Sequence, residues 1–182
     1  MGNVANNVQV AVTGGVYMAP AGTTIPTNGA SALNNAFEDL GYISEAGVVE
    51  TINEQSTDIR AWQNGAIVRK VTTSHDVTYA FTAIESNDRT LEAYYGNIAA
   101  GVVEVKGEQG VRGPWVIEVF DGAEDSTTGH RRIVIPDGQV TARGGVSYVN
   151  GAAVAYPITI TAYPDDTGVK AYIYLDEEVE GS

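Results

Sequence analysis

Apolar and polar positions alternate with a period of two along most of the chain. The alternation is clearest in five runs, at residues 8–12, 77–83, 115–120, 156–162 and 169–175. Valine, isoleucine, threonine and tyrosine dominate these runs, and they are typical of strands that bury one face of a sheet. The pattern therefore predicts a mainly β protein.

Two glycine-containing turn signals divide the last third of the chain. Asn150-Gly151 stands between two alternating runs, an arrangement typical of a type I′ β-hairpin. Pro136-Asp137-Gly138 joins the run at 132–135 to the run at 139–149 and also indicates a turn. From Trp115 onward the sequence thus predicts an antiparallel meander.

One helix is predicted at about residues 87–96. Asn87 or Asp88 can cap its first turn, and Gly96 can close its last turn. Leu91 and the pair Tyr94-Tyr95 have the spacing of an apolar stripe on one helix face. A weaker helical pattern occurs over residues 31–40.

Residues 53–70 form the longest stretch without clear periodicity and are interpreted as a long loop. Long irregular segments in compact domains are typically functional or mobile. Trp62 lies in this stretch, two residues after Arg60, and both residue types dominate the centres of protein interfaces. The alternative is that Trp62 is a core residue beside an irregular segment.

The chain is strongly acidic. Its 182 residues include 23 acidic and 10 basic side chains, for a net charge of −13. Four of the acids lie in the last seven residues, so we expect a β domain at 1–175 followed by a flexible acidic tail at 176–182. An acidic balance argues against a protein that reads nucleic-acid sequence, because such proteins neutralise phosphates with basic groups.

The sequence offers no recognisable catalytic or metal-binding arrangement. It has no cysteine, and its two histidines, His75 and His130, lack metal-ligand spacing to each other. It also lacks the common motifs of α/β-hydrolases, P-loop proteins and zinc proteases. We therefore expect neither an enzyme nor a cofactor site, and we expect no membrane segment, since no apolar run is long enough to span a bilayer.

A local positive surplus occurs at three arginines, Arg131, Arg132 and Arg143. They belong either to a solvated strand face or to a surface that pairs with acidic groups of a neighbouring subunit.

Several segments of the first half resemble a known family. They are GVYMAP at 15–20, TIPT at 24–27, FEDLGYIS at 37–44, IRAWQ at 59–63 and LEAYYG at 91–96. In order and spacing they are similar to the major tail tube proteins of long-tailed, non-contractile actinobacterial phages. The resemblance covers about residues 10–100, and the second half is similar only in its hairpin pattern.

This resemblance implies a β-sandwich with one flanking helix that assembles as stacked hexameric rings. The inner strands of six subunits would join into one continuous β-barrel around the channel through which the genome passes. The implied partners are further copies of the chain, the tape measure, tail terminator and distal tail proteins, and DNA only transiently and without sequence specificity. The implied location is the virion, after assembly in the host cytoplasm.

The resemblance and the charge pattern together suggest roles for particular residues. In such relatives a long loop reaches the adjacent ring, so Ile59, Arg60 and Trp62 are expected to make stacking contacts between rings. An acidic channel would repel phosphate and let DNA slide, and the expected lining acids are Glu50, Glu104 and Glu118. The three arginines at 131, 132 and 143 are the expected charge contacts between subunits.

Three other classes of protein remain as alternatives. They are a phage head decoration protein, an Hcp-like ring of a secretion system, and a carbohydrate-binding β-sandwich that uses exposed tryptophan or tyrosine.

Overall fold

A computed structural model describes residues 8–96, 98–107, 110–122 and 129–175. The described residues contain ten strands and one helix. The strands are β1 (Thr13–Met18), β2 (Glu38–Asp39), β3 (Ile43–Arg60), β4 (Ile67–Ala83), β5 (Ile98–Ala99), β6 (Val102–Val103), β7 (Arg112–Phe120), β8 (Arg131–Arg143), β9 (Tyr156–Tyr163) and β10 (Tyr172–Leu175). The helix is α1 (Asp88–Tyr95). The acidic segment at 176–182 lies outside the described residues.

The main sheet is antiparallel throughout, in the order β2-β1-β7-β8-β9-β4-β3, with β10 also paired to β8. Strand β8 changes neighbours along its length, because residues 131–134 pair with β10 and residues 137–143 pair with β9. The first half of β8 therefore belongs to one layer and its second half to the other. Strands β5 and β6 form a separate two-stranded sheet.

The change of layer occurs at Pro136-Asp137-Gly138, which was expected to be a turn. The expectation is wrong, since all three residues lie inside β8. Proline offers no N–H to a ladder, and the pairing of β8 with β7 shifts register here, opposite Gly113–Trp115. Gly138 is needed because a Cβ there would lie 2.6 Å from Cδ1 of Trp115. The motif thus bends one long strand instead of ending it.

The core lies between the two layers. Trp115 and Ile117 of β7 are buried against Tyr79 and Phe81 of β4 and the isoleucines of β9. The rings of Phe81 and Trp115 are 6.5 Å apart between centroids, and Trp115 Nε1 donates a hydrogen bond of 3.1 Å to the carbonyl oxygen of Gly138. The predicted β-sandwich with one flanking helix is confirmed.

Helix α1 begins and ends close to where the sequence predicted. The Asn87 side chain accepts a 2.8 Å hydrogen bond from the Thr90 amide, and Gly96 closes the helix with a φ of 107°. The buried residues are Thr90 and Ala93, whereas the expected stripe of Leu91, Tyr94 and Tyr95 is only half-buried. The weaker pattern at 31–40 forms no helix and includes strand β2.

A second apolar cluster lies on the outer side of the first layer. Residues of the 19–37 segment, among them Ala19 and Phe37, pack there against Val116 and Val134. This segment therefore covers a sheet face that the alternation alone marks as solvent-exposed.

The connection around Asn150-Gly151 is a turn, but no strand borders it. Strand β8 ends at Arg143 and β9 begins at Tyr156, so the expected hairpin does not form. A type I′ turn requires positive φ at both of its central residues. Gly151 has a φ of 84°, but the φ of Asn150 is not positive, so the turn is of another type.

Candidate assembly interface

The most prominent surface feature is a long β-hairpin made by β3 and β4. Strand β9 pairs with β4 only over Val77–Ala83, so residues 53–76 form a two-stranded ribbon beyond the sandwich. We call residues 53–76 the hairpin arm. The prediction of a long loop at 53–70 is therefore wrong. Residues 53–60 and 67–70 belong to strands, and only residues 61–66 connect them.

The turn at the end of the arm explains its geometry. Asn64 and Gly65 both have positive φ, 56° and 63°, and the amide of Ala66 donates a 3.4 Å hydrogen bond to the Gln63 carbonyl. These are the features of a type I′ turn, whose twist matches that of the flanking strands. The chain thus contains a type I′ hairpin turn at Asn64-Gly65, and the one predicted at Asn150-Gly151 does not form.

The arm exposes apolar side chains. Trp62 is 97% exposed, so the interpretation of Trp62 as a core residue is wrong. Other apolar residues of the arm are also exposed: Ile59, Ile67, Val68 and Val71. A two-stranded hairpin is only marginally stable in water, and a continuous exposed apolar patch typically marks a contact with another protein. The arm is therefore the strongest candidate for an assembly contact.

The three residues expected to make stacking contacts lie together at the end of the arm. Arg60 Nη1 donates a 3.2 Å hydrogen bond to the Gly65 carbonyl oxygen, which ties the side chain to the turn. Asp58 lies 3.7 Å from Arg60 and 3.8 Å from Lys70. Ile59 lies on the opposite face of β3 from Asp58 and Arg60, since side chains alternate along a strand. Their role in stacking stays a prediction.

Two residues with expected assembly roles are instead buried in the protomer. Glu118 and Arg132 are 4% and 6% exposed, and Arg132 Nε donates a 2.7 Å hydrogen bond to Glu118 Oε1. His130 also contacts Glu118, and Arg132 Nη1 reaches the carbonyl oxygens of Asn28 and Ser31 at 2.9 and 2.7 Å. Glu118 is therefore no channel-lining acid, and Arg132 is not available to a neighbouring subunit. Both expectations are wrong, because the 19–37 segment covers this face of the sheet.

The other two expected channel acids are exposed but lie on different surfaces. Glu50 is opposite Tyr79 in the β3–β4 register, on the side of the strands that faces the core. Burial raises the pKa of Tyr79, and the negative charge of Glu50 raises it further. Glu104 follows β6 and pairs with Lys106, away from the main sheet. The structure does not bring Glu50, Glu104 and Glu118 together.

Arg131 and Arg143 are both exposed. Arg131 donates a 3.0 Å hydrogen bond to the side chain of Gln9, and Arg143 is the last residue of β8. Their expected contacts with a neighbouring subunit stay a prediction.

The face of the second layer that points away from the core is lined with hydroxyl groups. Side chains of β3, β4, β9 and the end of β8 contribute six threonines to this threonine face: Thr51, Thr78, Thr82, Thr141, Thr159 and Thr161. The hydroxyl groups of Thr141 and Thr161 are 2.7 Å apart. The polar positions of the alternating runs at 77–83 and 156–162 are the sequence signal that could have identified this surface.

One ion pair borders the threonine face. Arg112 donates to both carboxylate oxygens of Asp137, at 2.7 and 2.5 Å, and its guanidinium lies 4.8 Å from the ring centre of Tyr163. The hydrogen bond from Arg112 holds the pKa of Asp137 below its ordinary value. The pair adds no net charge to this surface.

In the part of the chain that the structure describes, no three His, Cys, Asp or Glu side chains are grouped closely enough to hold a metal ion. None of the helices in those residues has the length and apolar character needed to span a membrane.

Comparison with known proteins decides the family. The sequence matches the family described as phage tail tube protein over residues 1–181. This chain belongs to that family. The family is structural, so the expectation that the chain is not an enzyme is confirmed, as is its place among the structural proteins of the virion.

Solved structures share the fold at low sequence identity. A chain of the PVC extracellular contractile injection system, from the sheath–tube complex in the extended state, aligns with a TM-score of 0.52 at 10% identity, over 94% of each chain. A chain of the cap that terminates the tube of the anti-feeding prophage aligns with a TM-score of 0.51 at 10% identity, over 96% of each chain. No curated protein sequence matches this tail tube protein.

Proposed function

We propose that this protein polymerises as stacked hexameric rings that form the tube of a phage tail, through which DNA passes during ejection. The single observation that carries the proposal is the hairpin arm, a two-stranded ribbon with exposed Trp62 that extends beyond the sandwich of a tail tube protein. Its expected partners are other copies of the chain and the tape measure, tail terminator and distal tail proteins. The resemblance of the first hundred residues supports a long-tailed, non-contractile phage of an actinobacterial host, with assembly in the host cytoplasm.

Closure into a ring would satisfy the unpaired edge of β3. This strand is 18 residues long and is the last in the sheet order, so its outer edge has no partner among the described residues. Long exposed edges favour pairing with another chain, and a closed barrel removes them. Pairing of β3 with a neighbouring subunit would extend the second layer around the channel.

The threonine face is the surface that we assign to the channel wall. In a barrel extended from the second layer, one face must be the packed core side and the other the inner wall. The six threonines give this face uncharged hydroxyl groups, Val49 and Ala80 lie between them, and the bordering Arg112–Asp137 pair adds no net charge. A wall without unpaired basic groups gains little from counterion release, so DNA would slide instead of binding. Glu50 and Glu104 do not belong to the threonine face, and their expected role in lining the channel stays a prediction.

Electron microscopy of the purified protein tests the proposal. The expected result is long tubes of stacked rings with six subunits in each ring. Trimers or isolated rings would instead favour a head decoration protein or an Hcp-like ring. Monodisperse monomers under all conditions, including mixtures with tail partners, would overturn the proposal, and binding to a glycan array would favour the carbohydrate-binding alternative.

A further inference from the structure

The end of the hairpin arm is positively charged in an acidic protein. We call residues 56–71 the arm tip. It contains three basic side chains, Arg60, Arg69 and Lys70, against one acid, Asp58, for a net charge of +2, whereas the whole chain carries −13. The side chains of Arg60 and Lys70 are 60% and 67% exposed, and Trp62 projects beside them. The tip therefore presents an exposed aromatic ring on a segment of net positive charge.

A groove of opposite charge lies at the other end of β3. It has a volume of about 770 Å³ and runs between β1 and residues 39–48. Three acids line it, Asp39, Glu45 and Glu85, together with the buried Glu118, which already pairs with Arg132. Lys and Arg are absent from the described residues that line it.

The groove also offers apolar surface and a fixed shape. Tyr42 lies in its lining and is 77% exposed. Glu85 Oε2 accepts a 3.1 Å hydrogen bond from the Tyr42 amide, and Asp39 Oδ1 accepts a 2.8 Å bond from the Gly41 amide. These bonds hold the loop that carries Tyr42, while the Glu45 side chain stays exposed. The groove can therefore receive a cationic segment with an aromatic residue.

We infer that the groove is the docking site for the arm tip of a second copy of this chain, in the adjacent ring. This inference rests on the proposed function and adds the surface that receives the arm. We assign the arm tip to the groove because their charges are complementary: the tip has a net charge of +2, and the groove is lined by acids without Lys or Arg among its described residues. Since every copy of the chain carries both patches, a second copy can supply the tip. A head-to-tail contact requires two different patches on each subunit, and the tip and groove supply them.

The separation of the two patches rules out a contact within one chain. Val48 lines the groove and Arg60 begins the turn region, twelve residues further along β3. At a rise of about 3.3 Å per residue, the two patches are about 40 Å apart. The tip cannot reach the groove of its own chain, so each contact joins two copies. Repetition of that contact would propagate the stack in one direction.

A disulfide experiment tests the contact directly, because the chain has no cysteine of its own. In the double variant Gln63→Cys with Tyr42→Cys, which keeps the Trp62 ring and places a thiol at the exposed position beside it, oxidation of assembled tubes should give a ladder of covalent multimers on a non-reducing gel. The matched control is Gln63→Cys with Val105→Cys, which places the second thiol on an exposed site outside the groove. Tubes that form normally but give no more ladder with Tyr42→Cys than with Val105→Cys would overturn the docking site and leave the proposed function intact.

A charge swap gives a second, independent readout. Lys70→Glu and Glu45→Lys should each raise the protein concentration needed for tube growth by about tenfold, because each places like charges in the contact. The two substitutions in one chain should restore growth. The pair Lys106→Glu and Glu104→Lys is the control, since it inverts an exposed ion pair away from both patches. Failure of the double variant to recover, with both single variants folded, would overturn the inference, as would single variants that assemble normally. If the wild-type protein forms no rings or tubes, the proposed function fails together with the docking site.

Discussion

Arg132 donates a 2.7 Å hydrogen bond from Nε to Oε1 of Glu118, its direct neighbour across strands β7 and β8. Both side chains are almost completely buried. Arg132 also binds two backbone carbonyl oxygens, those of Asn28 and Ser31, so one guanidinium connects the sheet to the segment that covers it. Two residues that the sequence suggested for assembly thus stabilise the protomer itself.

Removal of either partner should destabilise the fold. Glu118→Ala or Arg132→Ala leaves an uncompensated buried charge, and we expect a loss of about 3–5 kcal/mol in the free energy of unfolding. Urea denaturation of the soluble protein measures this loss. Arg131→Ala, at the exposed neighbouring position, is the control and should change stability by about 0.5 kcal/mol or less. A loss at Arg132 no larger than at Arg131 would show that the pair contributes little.

The sequence pattern predicted the elements that have one buried face. The alternation around Val77 and Tyr156 identified β4 and β9, because each of these strands packs one face into the core and leaves the other face more exposed. The alternation around Trp115 also identified β7, although both faces of that strand are buried. The Asn87 cap and Gly96 identified the helix, because capping is decided within a few residues.

The elements that the sequence missed depend on distant parts of the chain. Residues 53–70 showed no periodicity, since neither face of the hairpin arm is buried within the protomer and nothing selects an alternation there. Glu118 lies on a face that its own strand marks as polar, and only the packing of residues 19–37 buries it. Pro136 to Gly138 has the composition of a turn, but pairing with β9 makes it a bend. Apart from the turn at Asn64-Gly65, these outcomes depend on partners that are distant in the chain.

Trp62 should be needed for assembly and not for folding. Its side chain is 97% exposed, so Trp62→Ala should leave the circular dichroism spectrum unchanged and shift unfolding by about 0.5 kcal/mol or less. Tube growth should be lost, because the exposed ring is the largest apolar group of the arm tip. Tyr148→Ala removes another exposed aromatic ring, away from the hairpin arm, and should assemble normally. Normal tubes from Trp62→Ala would show that the ring makes no essential contact.

Basic residues on the threonine face should make the channel retain DNA. In Thr78→Lys with Thr161→Lys, the cations would release counterions from the phosphates of duplex DNA, with a strong dependence on salt. Tubes assembled in the presence of short duplexes should then protect DNA from nuclease, whereas wild-type tubes should not. Val105→Lys adds a cation at an exposed position outside the sheet and should give no protection. If wild type, the double lysine variant and Val105→Lys all protect DNA equally, or if none of them does, the threonine face is not the channel wall.

The turn before β10 should make the protein sensitive to acid. Asp165 accepts hydrogen bonds from the Tyr172 hydroxyl at 2.7 Å, the Thr167 hydroxyl at 2.7 Å and the Val169 amide at 3.0 Å, and these bonds hold the pKa of Asp165 well below its ordinary value of 3.8. Because the folded pKa is lower than the unfolded one, the stabilisation is fully present above 3.8 and is lost as the pH falls through the folded pKa. Asp165→Asn should therefore be less stable than wild type at neutral pH, and the difference should shrink at about pH 3. Urea unfolding midpoints at the two pH values measure this change, with the exposed Asp166→Asn as the matched control. A difference between wild type and Asp165→Asn that stays constant with pH would show that the charge of Asp165 does not stabilise the turn.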